Sequence, residues 1–124
     1  MKYMGSKSRI VDNILPIIQE RLRDYNIKTY IEPFCGGCNV IDKVQCDIKI
    51  ASDNHKYLIE MFKNLNQIQN LPEFITKEHY SDVRECFNKG LSQYPDWYIG
   101  AVGFLSSYNG RFFDGGYSGI VYTK

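Results

Sequence analysis

Excess charge, histidine and long apolar runs are scarce in this 124-residue sequence, and each shortage excludes a class of function. Because 15 Lys and Arg residues nearly balance 14 Asp and Glu residues, the net charge is +1, and any nucleic-acid binding must depend on local patches. No apolar run approaches the ~20 residues that a membrane-spanning helix requires, and the N-terminus has no apolar core of a signal peptide. We therefore expect a cytoplasmic protein without membrane contacts.

Metal and redox chemistry are also weakly supported, because the sequence contains only 4 cysteines and 2 histidines. Cys35-Gly-Gly-Cys38 has the spacing of redox motifs and of half a zinc site. No second Cys-x-x-Cys accompanies it, and neither His55 nor His79 shows a ligand spacing. A cytoplasmic location keeps such thiols reduced. We predict no metal and interpret both cysteines as small wall residues of a turn, with a metal site and a redox pair as the alternatives.

The most informative stretch of the sequence is a short strand followed by a glycine turn. The β-branched and aromatic residues 29–31 predict a short buried strand, which Pro33 ends because proline cannot donate to a β-ladder. Gly36-Gly37 permits a tight turn that a ligand can approach closely. Apolar residues at helical spacing then predict a helix that begins near Cys38 and ends at about Val44.

A second apolar strand is predicted at residues 48–53, and it ends in the carboxylate of Asp53. Strand, helix and strand at this spacing form a βαβ unit, in which the two strands are parallel. An acidic residue at the end of the second strand can accept hydrogen bonds from both hydroxyls of a ribose. The sequence therefore predicts an α/β fold that binds a nucleotide-like cofactor, and a nicotinamide dinucleotide-binding domain is one alternative.

A helix is also predicted before this unit. Ile10, Ile14, Ile17 and Ile18 give that helix an apolar face. Pro16 is expected to kink or split it, because proline removes a backbone donor inside the helix.

The rest of the chain is predicted to be mainly helical. Asp53-Asn54 is expected to cap a helix whose apolar stripe packs against the sheet. Further helices are predicted at about residues 78–89 and after Pro95, because proline suits the first turn of a helix. We assign residues 1–70 to a cofactor-binding part and residues 71–124 to a helical segment.

The stretch from residue 106 to residue 119 combines glycine, aromatic residues and arginine. Asn109-Gly110 is a strong turn pair. Arg111 lies among aromatic residues, and this composition can stack on bases and reach phosphates. A glycine-rich surface loop without a ligand is the alternative.

Two motifs together resemble those of the Dam-type DNA adenine-N6 methyltransferases, including phage members. Glu32-Pro33-Phe34-x-Gly36-Gly37 is similar to the S-adenosylmethionine motif of that family, although Cys38 stands where many members have Gly or Ala. Tyr3-x-Gly5-Ser6-Lys7 matches an N-terminal segment that lines the family's cofactor pocket. The resemblance implies an incomplete Rossmann-like fold of the S-adenosylmethionine-dependent methyltransferases, with a βαβ core and a helical target-recognition segment.

The resemblance also implies roles for individual residues. Tyr3 would pack against the cofactor, Lys7 would contact its charged methionine end or the neighbouring backbone, and Asp53 would bind the ribose. The expected cofactor-binding residues are Tyr3, Gly5, Ser6, Lys7, Glu32, Pro33, Phe34, Gly36 and Asp53. Residues 106–119 resemble a target-recognition loop of phage relatives. The expected DNA-contacting residues are Tyr108, Asn109, Arg111, Phe112, Phe113 and Tyr117.

The resemblance covers only the front half of the family. In the family, an Asp-Pro-Pro-Tyr motif contacts the flipped-out adenine, and here no two of the 4 prolines are adjacent. We therefore expect the N-terminal part of a site-specific DNA adenine-N6 methyltransferase, with S-adenosylhomocysteine as product, no catalytic residue of its own and no activity alone. The alternative is a non-catalytic relative that binds DNA or cofactor. The missing catalytic strand would leave an unpaired sheet edge, through which the chain would self-associate or bind a second chain. The alternative is that residues 71–124 cover this edge.

Overall fold

The computed structural model describes residues 2–119, which divide into two compact units. The first unit is Gly5–Asn54, and the second unit consists of the described residues on either side of it. Helices and strands are mixed, with a two-stranded parallel sheet. Within residues 2–119, no helix is long and apolar enough to cross a membrane.

The first unit begins with a one-turn 3₁₀ helix, Lys7–Arg9, and continues with α1, Val11–Asp24. Pro16 lies inside α1, which nevertheless remains one helix, so a split is wrong and a kink at Pro16 stays a prediction. Proline removes one backbone donor, and the apolar face of the helix compensates by packing. The core of this unit is formed by buried Val11, Leu22, Val40 and Val44.

The sheet pairs β1, Thr29–Glu32, with β2, Ile48–Ala51, in parallel, as predicted. Ile31 is opposite Ile50 in the register, and partners in a parallel pair share a face of the sheet. Ile31, Ile48 and Ile50 are 57%, 53% and 47% exposed, so the predicted burial of the first strand is wrong for this face, and the apolar second strand is exposed there too. The opposite face carries Tyr30, which packs against the core of the first unit.

The connection between the two strands is not the predicted helix. Cys38 has a φ of 61°, in the left-handed region, which a right-handed helix cannot include. Separate turns follow, closed by hydrogen bonds from Asp42 N to Cys38 O and from Val44 N to Val40 O. The apolar spacing nevertheless predicts burial correctly, because Val40 and Val44 are each 2% exposed.

The second unit contains four α-helices and a 3₁₀ helix, Tyr108–Gly110, among its described residues. The α-helices are α2, Lys56–Lys63; α3, Leu65–Ile68; α4, Lys77–Asn88; and α5, Asp96–Leu105. The predicted helices at 78–89 and after Pro95 are confirmed. The division between the compact units falls after Asn54, while the functional boundary near residue 71 stays a prediction.

Helix α2 packs against α5 within the second unit. The predicted packing of its apolar stripe against the sheet stays a prediction. Leu58 and Met61 of α2 share one buried cluster with Phe104 of α5. Gly100 permits this close approach, since a Cβ there would lie 2.2 Å from the Tyr57 carbonyl oxygen. The predicted capping of α2 by Asp53-Asn54 is wrong, because His55 is the N-cap residue of this helix. The His55 side chain makes no capping hydrogen bond.

Candidate functional site

The segments that follow β1 and β2 are held together beyond the sheet. Ser52 N donates to Glu32 O at 3.0 Å, and Cys35 N donates to Ser52 O at 3.0 Å. Ser52 Oγ also donates to Pro33 O at 3.2 Å. These bonds carry the parallel pairing past Pro33, which has no N–H of its own, and so fix the glycine turn beside the end of β2.

The glycine turn and the acidic residue predicted to bind a ribose are directly bonded. Gly36 N donates to Asp53 Oδ2 at 3.1 Å. Gly36 has a φ of 50°, which glycine adopts without the steric cost of a Cβ. The structure therefore brings together two elements that are separate in sequence, and Asp53 orients the turn.

Lys7 joins the N-terminal segment to the same turn. Its Nζ donates to Phe34 O at 2.7 Å and lies 3.3 Å from Glu32 Oε1. The Glu32 side chain is 8% exposed, and among the described residues neither of its oxygens accepts a hydrogen bond. We regard the 3.3 Å contact as an ion pair without hydrogen-bond geometry. The Glu32 carboxylate is therefore buried with a charge partner but retains capacity to accept hydrogen bonds.

Ser6 is held by a residue that the sequence analysis did not select. Asn39 Nδ2 donates to Ser6 Oγ at 2.6 Å, and Ser8 N donates to the same oxygen at 3.1 Å. Gly5, with a φ of 81°, makes the preceding bend. A lone asparagine in a turn carries no sequence signal for such a contact. Phe34, by contrast, is 79% exposed and presents its ring to solvent.

The two cysteines of the turn are protonated thiols at neutral pH. Burial is the main reason that the pKa of Cys38 is raised to about 12, and the neighbouring Cys35 thiol is the second reason. Burial also raises the pKa of Cys35. Because the thiolate is the metal ligand and the nucleophile, these shifts oppose both alternatives. Among the described residues, no group of three or more metal-ligating side chains is present.

Tyr3 differs from the other predicted cofactor residues, because it belongs to the second unit. Its ring centroid lies 5.8 Å from that of Phe104. A Cβ on Gly110 would come 3.1 Å from Tyr3 Cα, so the backbone here is tightly packed. Its proposed contact with the cofactor stays a prediction.

The predicted recognition loop is a closed turn in the second unit. Asn109 and Gly110 have φ of 54° and 65°, so the predicted turn at this pair is confirmed. Tyr108 N donates to Gly116 O at 2.8 Å, and Ser107 forms an antiparallel bridge with Tyr117. The loop is therefore internally hydrogen-bonded and has a defined shape.

Two of the six predicted DNA-contacting residues point into the protein. Phe113 is 4% exposed and belongs to a core cluster, and its N–H donates to Ser107 Oγ. Phe112 is half-buried and stacks on Tyr57, with centroids 5.5 Å apart. Burial removes the Phe113 ring from any ligand in this conformation, so we reassign Phe113 to anchoring the loop. Phe112 packs against the same core while part of its ring stays exposed, so its contact with DNA stays a prediction.

The remaining predicted DNA-contacting residues reach the surface. Tyr108 is 60% exposed, and Asn109 and Arg111 are exposed. Tyr117 is 37% exposed, but its hydroxyl donates to the carbonyl of Ile75. Only Tyr108, Asn109 and Arg111 thus form an exposed tip without an assigned structural role.

The family of the chain is defined by its similarity to known proteins. Residues 3–102 match the family model of the D12 class N6 adenine-specific DNA methyltransferases, and the chain belongs to this family. The matched range contains the glycine turn, Lys7 and Asp53 but ends before the loop tip.

One similar protein is the Type II methyltransferase M.MjaIII of Methanocaldococcus jannaschii. It is 29% identical to this chain over 108 residues, a match that covers 72% of this chain and 37% of the relative. The chain thus spans less than half the length of this relative. No solved structure matches the chain.

Proposed function

We propose that this chain supplies the cofactor-binding and target-recognition part of an adenine-N6 DNA methyltransferase that uses S-adenosylmethionine. The observation that carries the proposal is the bond between Gly36 N and Asp53 Oδ2 inside the range that matches the family. A glycine turn after one strand and an acid after its parallel neighbour form the usual cofactor edge of Rossmann-like sheets. We therefore propose that the two-stranded sheet belongs to such a fold.

The residues of the first unit fit this cofactor chemically. S-adenosylmethionine, when bound, supplies an electrophilic methyl group on a positively charged sulfur. We propose that Asp53 accepts hydrogen bonds from the ribose, since a carboxylate can take both hydroxyls. Glu32 retains the capacity to accept hydrogen bonds from an ammonium group, and Lys7 fixes the charge balance beside it. Gly5, Ser6, Pro33 and Phe34 complete the proposed cofactor set of this unit, and the contact of Tyr3 with the cofactor stays a prediction from the sequence.

Replacement of Asp53 tests this proposal. Asp53→Ala should weaken the binding of S-adenosylhomocysteine by about 1–3 kcal/mol, the scale of lost hydrogen bonds to a charged group, as measured by calorimetry. Asp47→Ala is the matched control, because Asp47 is an exposed aspartate just before β2. Unchanged affinity in Asp53→Ala, with folding verified by circular dichroism, would contradict the assignment.

The chemistry on adenine requires a group that these 124 residues do not contain. The adenine amino group is a weak nucleophile, and the Asp-Pro-Pro-Tyr motif that activates it in similar enzymes is absent from the printed sequence. We propose that the chain by itself transfers no methyl group. A labelled methyl-transfer assay on adenine-containing DNA checks this point, and measurable turnover would overturn it.

We propose that the loop tip formed by Tyr108, Asn109 and Arg111 contacts DNA. Its support is the exposure of an aromatic ring and a guanidinium on a turn with fixed shape. Arg111→Ala should weaken DNA binding and reduce its salt slope by about one unit, because one phosphate contact is lost. Arg84→Ala, which changes an exposed arginine of α4, is the control. If DNA binding by Arg111→Ala and by Arg84→Ala has the same salt slope, the loop has only a structural role.

The biological setting follows from the proposed reaction. DNA and S-adenosylmethionine are both cytoplasmic in prokaryotic cells, so we propose a cytoplasmic protein with DNA as partner. Either restriction–modification or protection of phage DNA would fit a member of this family. A truncated relative that binds DNA or cofactor without chemistry is the second candidate, favoured by the missing motif. A nicotinamide dinucleotide-binding domain is no longer supported, because the family is that of the methyltransferases.

A further inference from the structure

The 3₁₀ helix that carries Lys7 is held in place mainly by hydrogen bonds. None of its residues, Lys7–Arg9, is buried. The backbone before it bends at Gly5, where a Cβ would meet no atom within 4 Å. The first buried side chain after it is Val11, at the start of α1. A contact that fixes the beginning of the 3₁₀ helix therefore also determines where Lys7 lies.

Asn39 supplies that contact. Its Nδ2 donates to Ser6 Oγ at 2.6 Å, and the same oxygen accepts the N–H of Ser8 at 3.1 Å. Ser6 is the N-cap residue of the 3₁₀ helix, so one hydroxyl joins the first turn of the helix to a distant part of the chain. Ser6 and Asn39 are both half-buried, and partial shielding from water strengthens the bond between them.

The backbone on both sides of Asn39 is itself fixed. Cys38 N donates to Cys35 O at 2.9 Å, which closes the turn before Asn39. Val40, the next residue, is 2% exposed and belongs to the core cluster that also contains Val11 of α1. Asn39 therefore presents its amide from a rigid position, and the core that sets this position is the one against which α1 packs.

The position of Lys7 decides what the Glu32 carboxylate can still bind. Lys7 Nζ donates to Phe34 O at 2.7 Å and lies 3.3 Å from Glu32 Oε1, where it forms no hydrogen bond with the carboxylate. With a small shift toward Glu32, the ammonium would donate to the carboxylate and use part of its acceptor capacity. With a shift away, it would leave a buried carboxylate without its charge partner. The observed position avoids both outcomes.

We propose that Asn39 is a positioning residue for the cofactor. Through Ser6 it holds Lys7 at the distance that leaves the Glu32 carboxylate paired in charge and open to the ammonium group of S-adenosylmethionine. This inference rests on the proposed function, because the ammonium group belongs to the proposed cofactor. Since Asn39 acts through Lys7 and not by touching the cofactor, its loss should affect only ligands that carry the ammonium group.

The test compares two ligands by calorimetry on the full 124-residue chain. S-adenosylhomocysteine carries the ammonium group, whereas 5′-methylthioadenosine has the same adenosine and thioether without the amino-acid end. Asn39→Ala should weaken the binding of S-adenosylhomocysteine by about three- to tenfold and change that of 5′-methylthioadenosine by less than about twofold. Asn13→Ala, which changes an exposed asparagine of α1, is the matched control and should change neither affinity.

A double variant shows whether Asn39 acts through Lys7. Lys7→Met removes the cation, so the addition of Asn39→Ala should weaken the binding of S-adenosylhomocysteine no further. An independent effect of Asn39 on the glycine turn would instead add to that of Lys7→Met. Ser6→Ala removes the same hydrogen bond from its other end and takes the place of Asn39→Ala if circular dichroism shows that Asn39→Ala does not fold.

Each outcome decides the proposal. Equal weakening of both ligands, additive losses in the double variant or an unchanged affinity for S-adenosylhomocysteine overturns the role of Asn39 and leaves the proposed function in place. A wild-type chain that does not bind S-adenosylhomocysteine contradicts the proposed function, and the role of Asn39 falls with it. Weakening of both ligands by Asp53→Ala, together with weakening of S-adenosylhomocysteine alone by Asn39→Ala, supports both.

Discussion

Two carboxylates at the ends of neighbouring strands have different surroundings, and this difference separates their roles. Glu32 is 6% exposed and faces Lys7, whereas half-buried Asp53 holds the N–H of Gly36. A buried carboxylate with a cation beside it contributes fixed charge, since removal of that cation would leave an unpaired charge in a protein interior. Asp53 is instead coupled to a backbone group that a cofactor would approach, so its loss should affect both the shape of the turn and ribose binding.

The Cys38 thiol should make stability fall in alkaline solution. An ordinary thiol has a pKa of 9.0, and burial raises that of Cys38 to about 12. Between pH 9 and pH 12 the unfolded chain loses this proton while the folded chain retains it, so the free energy of unfolding declines as pH rises. The slope cannot exceed roughly 1.4 kcal/mol per pH unit, the value for one whole proton, and the partial exposure of Cys38 makes it smaller. Urea unfolding at several pH values measures it.

Cys38→Ser provides the control for this effect, because serine does not titrate in that range. The difference in free energy of unfolding between wild type and variant should narrow from pH 8 to pH 11. The hydrogen bond from the Tyr94 hydroxyl to Asp82 raises the pKa of Tyr94 to about 12. Tyr94 is present in both proteins, so its effect on the free energy of unfolding cancels in the comparison. If the difference in free energy of unfolding between wild type and Cys38→Ser does not change with pH, the fold does not hold the Cys38 thiol in its protonated form.

At the scale of elements, the loop of residues 106–119 depends on glycines that have different neighbours. Gly110 and Gly116 both have positive φ, 65° and 81°. A Cβ on Gly110 would lie 2.1 Å from the Lys2 carbonyl oxygen, while a Cβ on Gly116 would meet no atom within 4 Å. Gly116→Ala should therefore cost only the backbone strain, about 1–2 kcal/mol. Gly110→Ala should cost about 1–3 kcal/mol more, because the N-terminal backbone must move.

Thermal unfolding of the two variants measures this difference. Both alanines impose similar strain at positive φ, so each serves as the control for the other. Equal melting temperatures would mean that residues 2–3 do not pack against the loop in solution.

Much of the element pattern follows from the sequence, and the exceptions have physical causes. Helices α4 and α5, the parallel strands and the turn at Asn109-Gly110 are all visible as local patterns. The helix predicted from Cys38 is absent, because apolar spacing reports burial and cannot report the positive φ of that residue. The burial of Phe113 depends on distant helices, which no local pattern records.

The candidate site is predictable to a similar degree. The turn, Lys7 and Asp53 are conspicuous as motifs, and the structure does bring Asp53 to Gly36. The contact between Asn39 and Ser6 joins residues 33 positions apart and depends on the path of the turns between the strands. Side chains that support a site from a distance in sequence carry no motif, so they emerge only when the fold is known.

At the scale of the whole molecule, the open face of the sheet should promote self-association. Ile31, Ile48 and Ile50 are about half exposed on one face, and within the described residues each strand pairs only with the other. Burial of apolar area gains roughly 25 cal/mol per Å², and an open strand edge can pair with another strand. We expect the chain to form concentration-dependent oligomers in light scattering. The double variant Ile31→Lys, Ile50→Lys should weaken this association by about tenfold or more.

Leu65→Lys is the matched control for this experiment, because Leu65 is a 50% exposed apolar residue of α3 in the second unit. It should leave the association unchanged. A wild-type chain that remains monomeric over the whole concentration range would contradict the prediction, and equal weakening by Leu65→Lys would assign the contact to a different surface.

The parallel pairing of β1 and β2 also determines how quickly the first unit can form. No hairpin joins the strands, so the first ladder hydrogen bond requires closure of the chain over residues 33–47, which contain turns but no helix. Closure over such a distance loses chain entropy before any sheet contact compensates for it. Helix α1 can form from local contacts alone. In refolding from denaturant, the helical signal should therefore appear before the Ile31–Ile50 pairing, and the contact between Gly36 and Asp53 should be the last part of the unit to become native.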